Sequence, residues 1–451
     1  MTRRHLRQAV ETALGDRQLI WFGLRGDEAE AMGDLRQFAA AFSNIARYDR
    51  RTLPVALAYE DLTGRRPDMD TWDLDLNPQN PATARFRAAA LTAMARPCAV
   101  VPYRPSDFLS SLAFARQTQC LYLGVFGAQQ KAFEHKPWVE SELRRAGVPS
   151  IPWAYVADED KDRAYRLLRS GPIVLRRSRG SGGEGTAYVE DEAGLDQAWA
   201  VGGDTFLAVA PYLANHTPVN IGATVWNDRV TLHAPSLQII GVAELTRRRF
   251  GYCGNDFAQA KTLDPDVWRQ VESLTTRTGC WLQANGYRGS FGVDYLVSPT
   301  GQVLFTELNP RFQGSTSLSC KLSWAVDEPD LILEHMAACL GLDGPPAGPA
   351  LPERMDAWPG MAHAVAHWVG TTPLAVDNTS ALSEALMRAI PGSTVDLRPP
   401  DRSVLEPEGV LLHVTVPGTL IAGAEPMSSL IRLLSADAAD RTHRKGVTCP
   451  A

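Results

Sequence analysis

Residues 290–297 and 302–308 alternate apolar and polar side chains on either side of Ser298-Pro299-Thr300-Gly301, and no other stretch of the chain is so constrained. Alternation with period two, broken by a Pro/Gly turn, specifies a β-hairpin with one buried face. Strand side chains alternate between faces, so Glu307 and Asn309 are expected on the side of Phe305. A four-residue turn sets Val297 opposite Gln302, which puts Asp294 opposite Phe305 and makes Glu307 its diagonal neighbour. Two carboxylates and an amide carbonyl then converge. Such a pair repels unless a cation or an arginine neutralises it, and aspartate is disfavoured in strand interiors. A hard, oxygen-only set suits Mg²⁺, which takes one or two carboxylates and completes its shell with water and phosphate oxygens. The competing reading leaves Asp294 and Glu307 on a solvated face or pairs them with Arg288 and Arg311.

Upstream, Ile173-Val174-Leu175-Arg176 leads into Gly180-Ser181-Gly182-Gly183-Glu184-Gly185, which satisfies GxGxxG. A dinucleotide fingerprint must open a helix. Here Thr186-Ala187-Tyr188-Val189 follows, so the loop is expected to fold back as a hairpin flap. Free of side chains, such a backbone lets several N–H groups converge on an anion, with Arg176 adding fixed positive charge. The plainer alternative is a flexible turn. A helix from about 137 to 146 stops at Gly147, and a second runs over 264–285 with Asp264 as cap and Pro265 at its first position. Short apolar runs such as 18–24 alternate with helical patterns up to about 134, as in an α/β domain. The stretch 344–349 reads as a linker, and the last hundred residues carry no recognisable chemistry. His363 and His367 have the i, i+4 spacing of a helical pair, without a third metal ligand.

Composition narrows the classes. The 451 residues, 45% hydrophobic and 21% charged, are those of an ordinary globular enzyme of two to four domains. A net charge of -6 argues against coating a polyanion, so no nucleic acid partner is expected. Seven cysteines without a CxxC pair read as reduced thiols. Glu11 and Asp16 interrupt what would have to be a signal peptide, and no run of about 18 apolar residues exists, so a soluble cytoplasmic protein without a membrane partner is expected. A homodimer is the default oligomeric expectation.

Taken in order, Lys136 ahead of a helix ending Ala-Gly-Val-Pro, the strand to Arg176 with its glycine loop, and Gly-Val-Asp294-Tyr through Thr-Glu307-Leu-Asn309-Pro-Arg311 resemble the ATP-grasp superfamily of carboxylate–amine ligases over about residues 120–325. The resemblance implies an α/β and α+β multidomain fold: an N-terminal α/β domain (1–134), a central glycine-loop lid domain (135–205), a C-terminal metal-binding sheet domain (206–345) and a C-terminal α+β extension (346–451). It implies that Lys136 and Arg176 bind ATP phosphates, with arginine where lysine is more usual. Gly180, Ser181, Gly182, Gly183 and Gly185 would close over those phosphates, and the backbone from Ala210 through Tyr212 to Leu213 would contact adenine. Asp294, Glu307 and Asn309 match the family's Mg²⁺ ligands, and Arg311 an arginine facing the transferred phosphoryl group. The acidic residue often found beside the adenine strand is absent, leaving Thr217 or Asn220 for the ribose.

The chemistry implied is phosphorylation of a carboxylate by ATP, then attack of an amine on the acyl phosphate to give an amide, ADP and phosphate. Its alternatives are another nucleophile, carboxylation, or nucleotide binding without catalysis. Phosphoryl transfer asks mainly for positioning and charge neutralisation, so no protein nucleophile is needed. Arg247, Arg248 and Arg249 are candidates for holding the substrate carboxylate, of which at most two can face one pocket; a solvated basic turn is the alternative. Arg288 is a further oxyanion candidate. The run from Asn309 to Thr316 resembles ATP-grasp ligases that join amino acids or peptides in bacterial secondary metabolism, a pheganomycin-type peptide ligase among them. The expected partners are a small carboxylic acid and an amine.

Overall fold

The computed structural model describes residues 1–67, 79–157, 160–178, 180, 182–200, 206–376, 380–421 and 423–446. Ser181, expected in the glycine loop, lies outside them. Near-continuous apolar runs build the first sheet, as expected for strands buried on both faces. Five parallel strands stand in the order Val55–Ala58, Phe38–Ile45, Gln18–Arg25, Cys98–Pro102, Cys120–Tyr122. The chain builds outward in one direction from Gln18–Arg25, then returns to its other side with Cys98–Pro102. The strand order therefore reverses between those two neighbours.

The glycine loop joins two strands of a four-stranded antiparallel sheet, ordered Ala154–Ala157, Phe206–Pro211, Ile173–Arg176, Thr186–Val189. The expected flap hairpin is therefore present, and no helix follows the loop. Phe206–Pro211 pairs within this lid sheet, so the sheet extends beyond the expected limit at residue 205. A core of Val156, Leu168, Ile173, Leu195 and Leu207 lies beneath it.

The third sheet has nine strands. Its order runs Val303–Asn309, Gly289–Val297, Thr217–Val225, Ser236–Ile240, Tyr252–Asp256, Met361–His367, Val410–Pro417, Thr394–Asp396, with Val230–Leu232 paired to Thr217–Val225. Strands from beyond residue 346, where a C-terminal α+β extension is expected, thus continue this sheet. His363 and His367 lie on one of them, Met361–His367, where the i, i+4 spacing places them on one face of a strand. Helix Pro265–Ala284, capped by the Asp264 carboxylate on the Asp266 N–H, packs Val267, Val271 and Leu274 against the sheet. No helix among the described residues is long and apolar enough to cross a membrane.

The carboxylate hairpin forms in a different register from the simple count. Val297 pairs with Val303, Leu296 with Leu304 and Tyr295 with Phe305, after which a bulge sets Asp294 opposite Glu307. The extra residue is Thr306, whose hydroxyl donates to the Asp294 carbonyl at 2.9 Å. Core positions show the same step: Val303 and Phe305 are buried beside Tyr295, and the next core residue is Leu308, three positions on. Phe305 therefore faces away from Glu307. In regular register Thr306 would oppose Asp294 and Glu307 would turn into the core; the bulge returns it to the aspartate's face.

Candidate active site

The two carboxylates open onto a cavity of about 550 Å³ between the lid sheet, the large sheet and the carboxyl ends of the parallel strands. Eight arginine and lysine side chains against five carboxylates line it, in a chain whose net charge is -6. Asp294 Oδ1 accepts from Asn220 Nδ2 at 2.6 Å and from Gln238 Nε2 at 3.1 Å, and its Oδ2 from Asn309 Nδ2 at 3.1 Å. Asn220 is thus engaged by the aspartate and by Ser315, whose hydroxyl donates to it at 2.7 Å. Burial, together with the Glu307 charge opposite, pushes the Asp294 carboxyl up to about 7. Burial also acts against the Glu307 carboxylate, but Lys136, Arg176 and Arg311 outweigh it and hold Glu307 below the usual carboxylate range.

Lys136 is the first residue of helix Lys136–Arg145, and its Nζ lies 3.0 Å from Glu307 Oε1 while donating to Gly180 O at 3.1 Å. One ammonium thus ties the glycine loop to the carboxylate hairpin. Arg176, buried at the end of its strand, pairs with Glu140, donates to Thr306 O at 3.0 Å and stacks its guanidinium 4.1 Å from the centre of the Trp153 ring. Tyr155 donates to the same Glu140. A planar fork makes these contacts together and a lysine ammonium cannot, which accounts for arginine at this position. Arg311 is fixed by Glu134 Oε1 at 3.3 Å and Phe312 O at 3.2 Å. Gly180, Gly182 and Gly183 line the cavity on the lid side, and Ala210, Tyr212 and Leu213 along the strand that follows. Gly183 has φ +81°, and a Cβ there would stand 2.3 Å from Phe250 O, so the loop and residues 246–251 close on each other only without a side chain.

The residues present suit a divalent cation: two carboxylates forced onto one face, the carboxyl of Asp294 pushed up by burial and repulsion, with an amide beside them. Among the described residues no group of three or more His, Cys, Asp or Glu is arranged to hold a metal ion, which leaves this mixed oxygen set. Its hardness favours Mg²⁺ over thiolate- or imidazole-seeking metals.

No family model matches the chain. Over 211 residues, 44% of its length, it is 27% identical to the formate-dependent phosphoribosylglycinamide formyltransferase of Bifidobacterium adolescentis, spanning 50% of that enzyme. Over 245 residues it is 23% identical to the mitochondrial acetyl-CoA carboxylase of Saccharomyces cerevisiae, 46% of this chain and 10% of that one. The chain thus spans half or less of the length of these curated relatives. Among solved structures, carboxyaminoimidazole ribonucleotide synthase from Aspergillus clavatus, complexed with ATP, superposes with a TM-score of 0.61 at 13% identity over 93% of this chain and 99% of that one. The biotin carboxylase domain of Hydrogenobacter thermophilus 2-oxoglutarate carboxylase, with MgADP, superposes at 0.60 and 13% identity over 90% and 87%. The chain has the ATP-grasp fold.

Within that fold some expected site residues stand outside the cavity. Arg288 turns its guanidinium to Asn227 Oδ1 at 2.8 Å and to the carbonyls of Gln283 and Tyr287, where it closes the end of helix Pro265–Ala284. Gly185 sits behind the loop, its carbonyl accepting from Arg177 N–H at 3.0 Å. Of the three successive arginines, Arg248 and Arg249 line the cavity and Arg247 does not; its backbone N–H donates to Glu408 Oε1 at 2.8 Å. Arg249 lies 3.5 Å over the Tyr188 ring of the lid. Cys253 is fully buried, and burial pushes its thiol up to about 11, so it supplies no thiolate. Sequence reasoning missed the far end of the cavity, lined by Arg25, Glu28, Tyr103, Arg104, His367 and Glu408. The signal available for Arg25 and Arg104 was their place at the carboxyl ends of parallel strands, where open α/β sheets bind ligands.

Proposed function

We propose that this chain is an ATP-dependent carboxylate–amine ligase that forms an amide through an acyl phosphate, releasing ADP and phosphate. The observation that carries the reading is the bulge-made pair of Asp294 and Glu307, facing Lys136 and the glycine loop across one cavity. ATP would lie between the lid sheet and the hairpin, its adenine against the backbone at Ala210–Leu213 and its phosphates beneath Gly180, Gly182 and Gly183. Lys136 and Arg176 would supply positive charge to the phosphates, and the contacts that fix Arg176 would spare reorganisation during reaction. Asp294, Glu307 and Asn309 would hold Mg²⁺, which when bound neutralises phosphate charge. Arg311, braced by Glu134, would stabilise charge on the transferred phosphoryl group and on the acyl phosphate. The substrate carboxylate attacks the γ-phosphorus and ADP leaves; the amine nitrogen then attacks the acyl carbon, and phosphate leaves as the C–N bond forms.

Joining of amino acids or peptides is the finer form of this reading, supported by the resemblance of residues 309–316 to such ligases. The named relatives act as a formyltransferase and a carboxylase, so the carboxylate panel must include formate and bicarbonate. The test is ADP release by the purified protein with MgATP across carboxylates and amines. Release that requires both one acid and one amine supports the reading. Release independent of any amine, or none with any pair, overturns it.

A further inference from the structure

The cavity continues past Arg311 to the place where strand order reverses in the parallel sheet. Arg25 ends strand Gln18–Arg25, and Tyr103 and Arg104 follow directly on the neighbouring Cys98–Pro102. Open α/β sheets bind ligands in the crevice at such a reversal, beyond the carboxyl ends of the strands. All three residues line the cavity, joined by Arg248 from the loop between strands Ser236–Ile240 and Tyr252–Asp256.

The bonding at this end is lopsided. Both acidic side chains are already engaged: Glu28 accepts from Arg25 Nε at 2.9 Å and from the Arg25 N–H at 3.1 Å, and Glu408 accepts from the Thr246 hydroxyl at 2.7 Å and the Arg247 N–H at 2.8 Å. Neither presents an oxygen without a donor to an incoming ammonium. Three guanidinium groups, those of Arg25, Arg104 and Arg248, stand with these two carboxylates in the lining. Arg25 is 3% exposed and pairs with Glu28, its Nη2 standing 2.9 Å from Glu28 Oε1. Burial and the Glu28 charge raise the Tyr103 hydroxyl above its ordinary value, while Arg25, Arg311 and Arg104 all draw it down, so this phenol sits among three guanidinium groups. Leu24, Val365 and Val410 give the remaining wall an apolar character.

We propose that the carboxylate substrate is a dianionic organic acid, one carboxylate reacting at the hairpin beside Arg311 and a second anionic group, carboxylate or phosphate, held by Arg25 and Arg104 beside Tyr103 with Arg248. The placement of the reacting end rests on the ligase reading; the anion site itself does not. Planar guanidinium groups bind carboxylate and phosphate in bidentate fashion, and the apolar wall accommodates the carbon chain between the two charges.

The experiment is calorimetric binding to the full chain, with and without MgADP, using glutarate, butyrate, inorganic phosphate and butylamine as probes. Glutarate should bind at least ~10-fold more tightly than butyrate, and butylamine should not displace it, the tenfold step corresponding to about 1.4 kcal/mol for the second charge. Arg104→Gln and Arg248→Gln should each weaken glutarate ~10-fold while ADP affinity stays within about twofold. Arg25→Lys should do the same where it folds; the other two variants carry the test if it does not. Phosphate that displaces glutarate in the wild type and weakens in the same variants assigns the second group as phosphoryl; phosphate that does neither assigns it as carboxylate. Glutarate no tighter than butyrate with no variant-sensitive phosphate binding, glutarate displaced by butylamine, or anion binding indifferent to Arg104 and Arg248 overturns the proposal. Anion binding without ADP binding would instead overturn the nucleotide reading alone.

Discussion

The two ends of the cavity solve opposite electrostatic problems. At the hairpin end Lys136, Arg176 and Arg311 answer Glu307, while Asp294 is bonded by amides and its carboxyl stays raised, so the place there is for added positive charge. At the strand-end crevice the two lining carboxylates, Glu28 and Glu408, already accept from donors while Arg25, Arg104 and Arg248 line the same end, so the place is for negative charge. A polyphosphate with its cation and an organic anion can thus occupy one continuous space without competing for the same groups. The difference teaches that net charge is a poor guide to a site: a chain of net charge -6 builds a cavity with cationic excess.

The largest expected effect separates the two ends. Glu307→Ala should lower turnover by ~10³-fold or more, the scale of losing a group that stabilises transferring phosphoryl charge, with glutarate binding and thermal unfolding little changed. Turnover within tenfold of wild type would break the cation assignment. Next, Gly183→Val adds a Cβ 2.3 Å from Phe250 O in a backbone region hostile to branched residues, so the lid cannot seat against residues 246–251. The KM for ATP should rise by ~10-fold or more; an unchanged KM would mean that closure does not matter to nucleotide binding. Arg176→Lys keeps the charge and loses the fork, so kcat/KM should fall by ~10-fold, against a much larger loss for Arg176→Ala.

A stability measurement probes the frame shared by both ends. His335 ties the large sheet to the edge of the parallel sheet, its Nδ1 accepting from Ser290 N–H at 2.9 Å and its Nε2 donating to Leu123 O at 2.8 Å, so it is held neutral. Burial lowers its pKa to about 4. A base depressed in the folded state contributes stability that is present above its unfolded value near 6.5 and is lost as pH falls toward 4. The denaturant midpoint should therefore drop between pH 7 and 4, and the drop should shrink in His335→Gln; an equal drop in both proteins would remove His335 as a cause. The smallest effect is expected for Arg288→Ala, which loses carbonyl contacts at a helix end worth about 0.3–1 kcal/mol and should leave turnover within about twofold. A tenfold fall would return Arg288 to the catalytic set.

Legibility in the sequence follows the same division. The glycine loop, the hairpin turn and helix Pro265–Ala284 are local events, each fixed by residues adjacent in the chain, and the expected elements formed within a few positions of the expected bounds. The register of the carboxylate hairpin was not legible, because one extra residue in a strand leaves no mark on alternation short of the bulge itself. The count from the turn and the omission of the bulge each shifted Glu307, and the two shifts left it on the correct face. His363 and His367 show a different failure: an even spacing satisfies a strand face as well as a helix turn, and only pairing with Tyr252–Asp256 decides between them.

By itself the sequence determined which residue types stand ready: two carboxylates near one turn, a glycine loop between strands, a lysine at a helix start. Tertiary structure decided which of the arginines act together. Arg25, Arg104 and Arg248 are separated by up to more than two hundred positions, and only Arg248, in its run of three arginines, is marked by its neighbours, since their meeting depends on the order of strands in one sheet and the docking of another. Local hydrogen bonding reads spacing of a few residues, whereas a crevice at a strand-order reversal exists only after the sheet has closed around it.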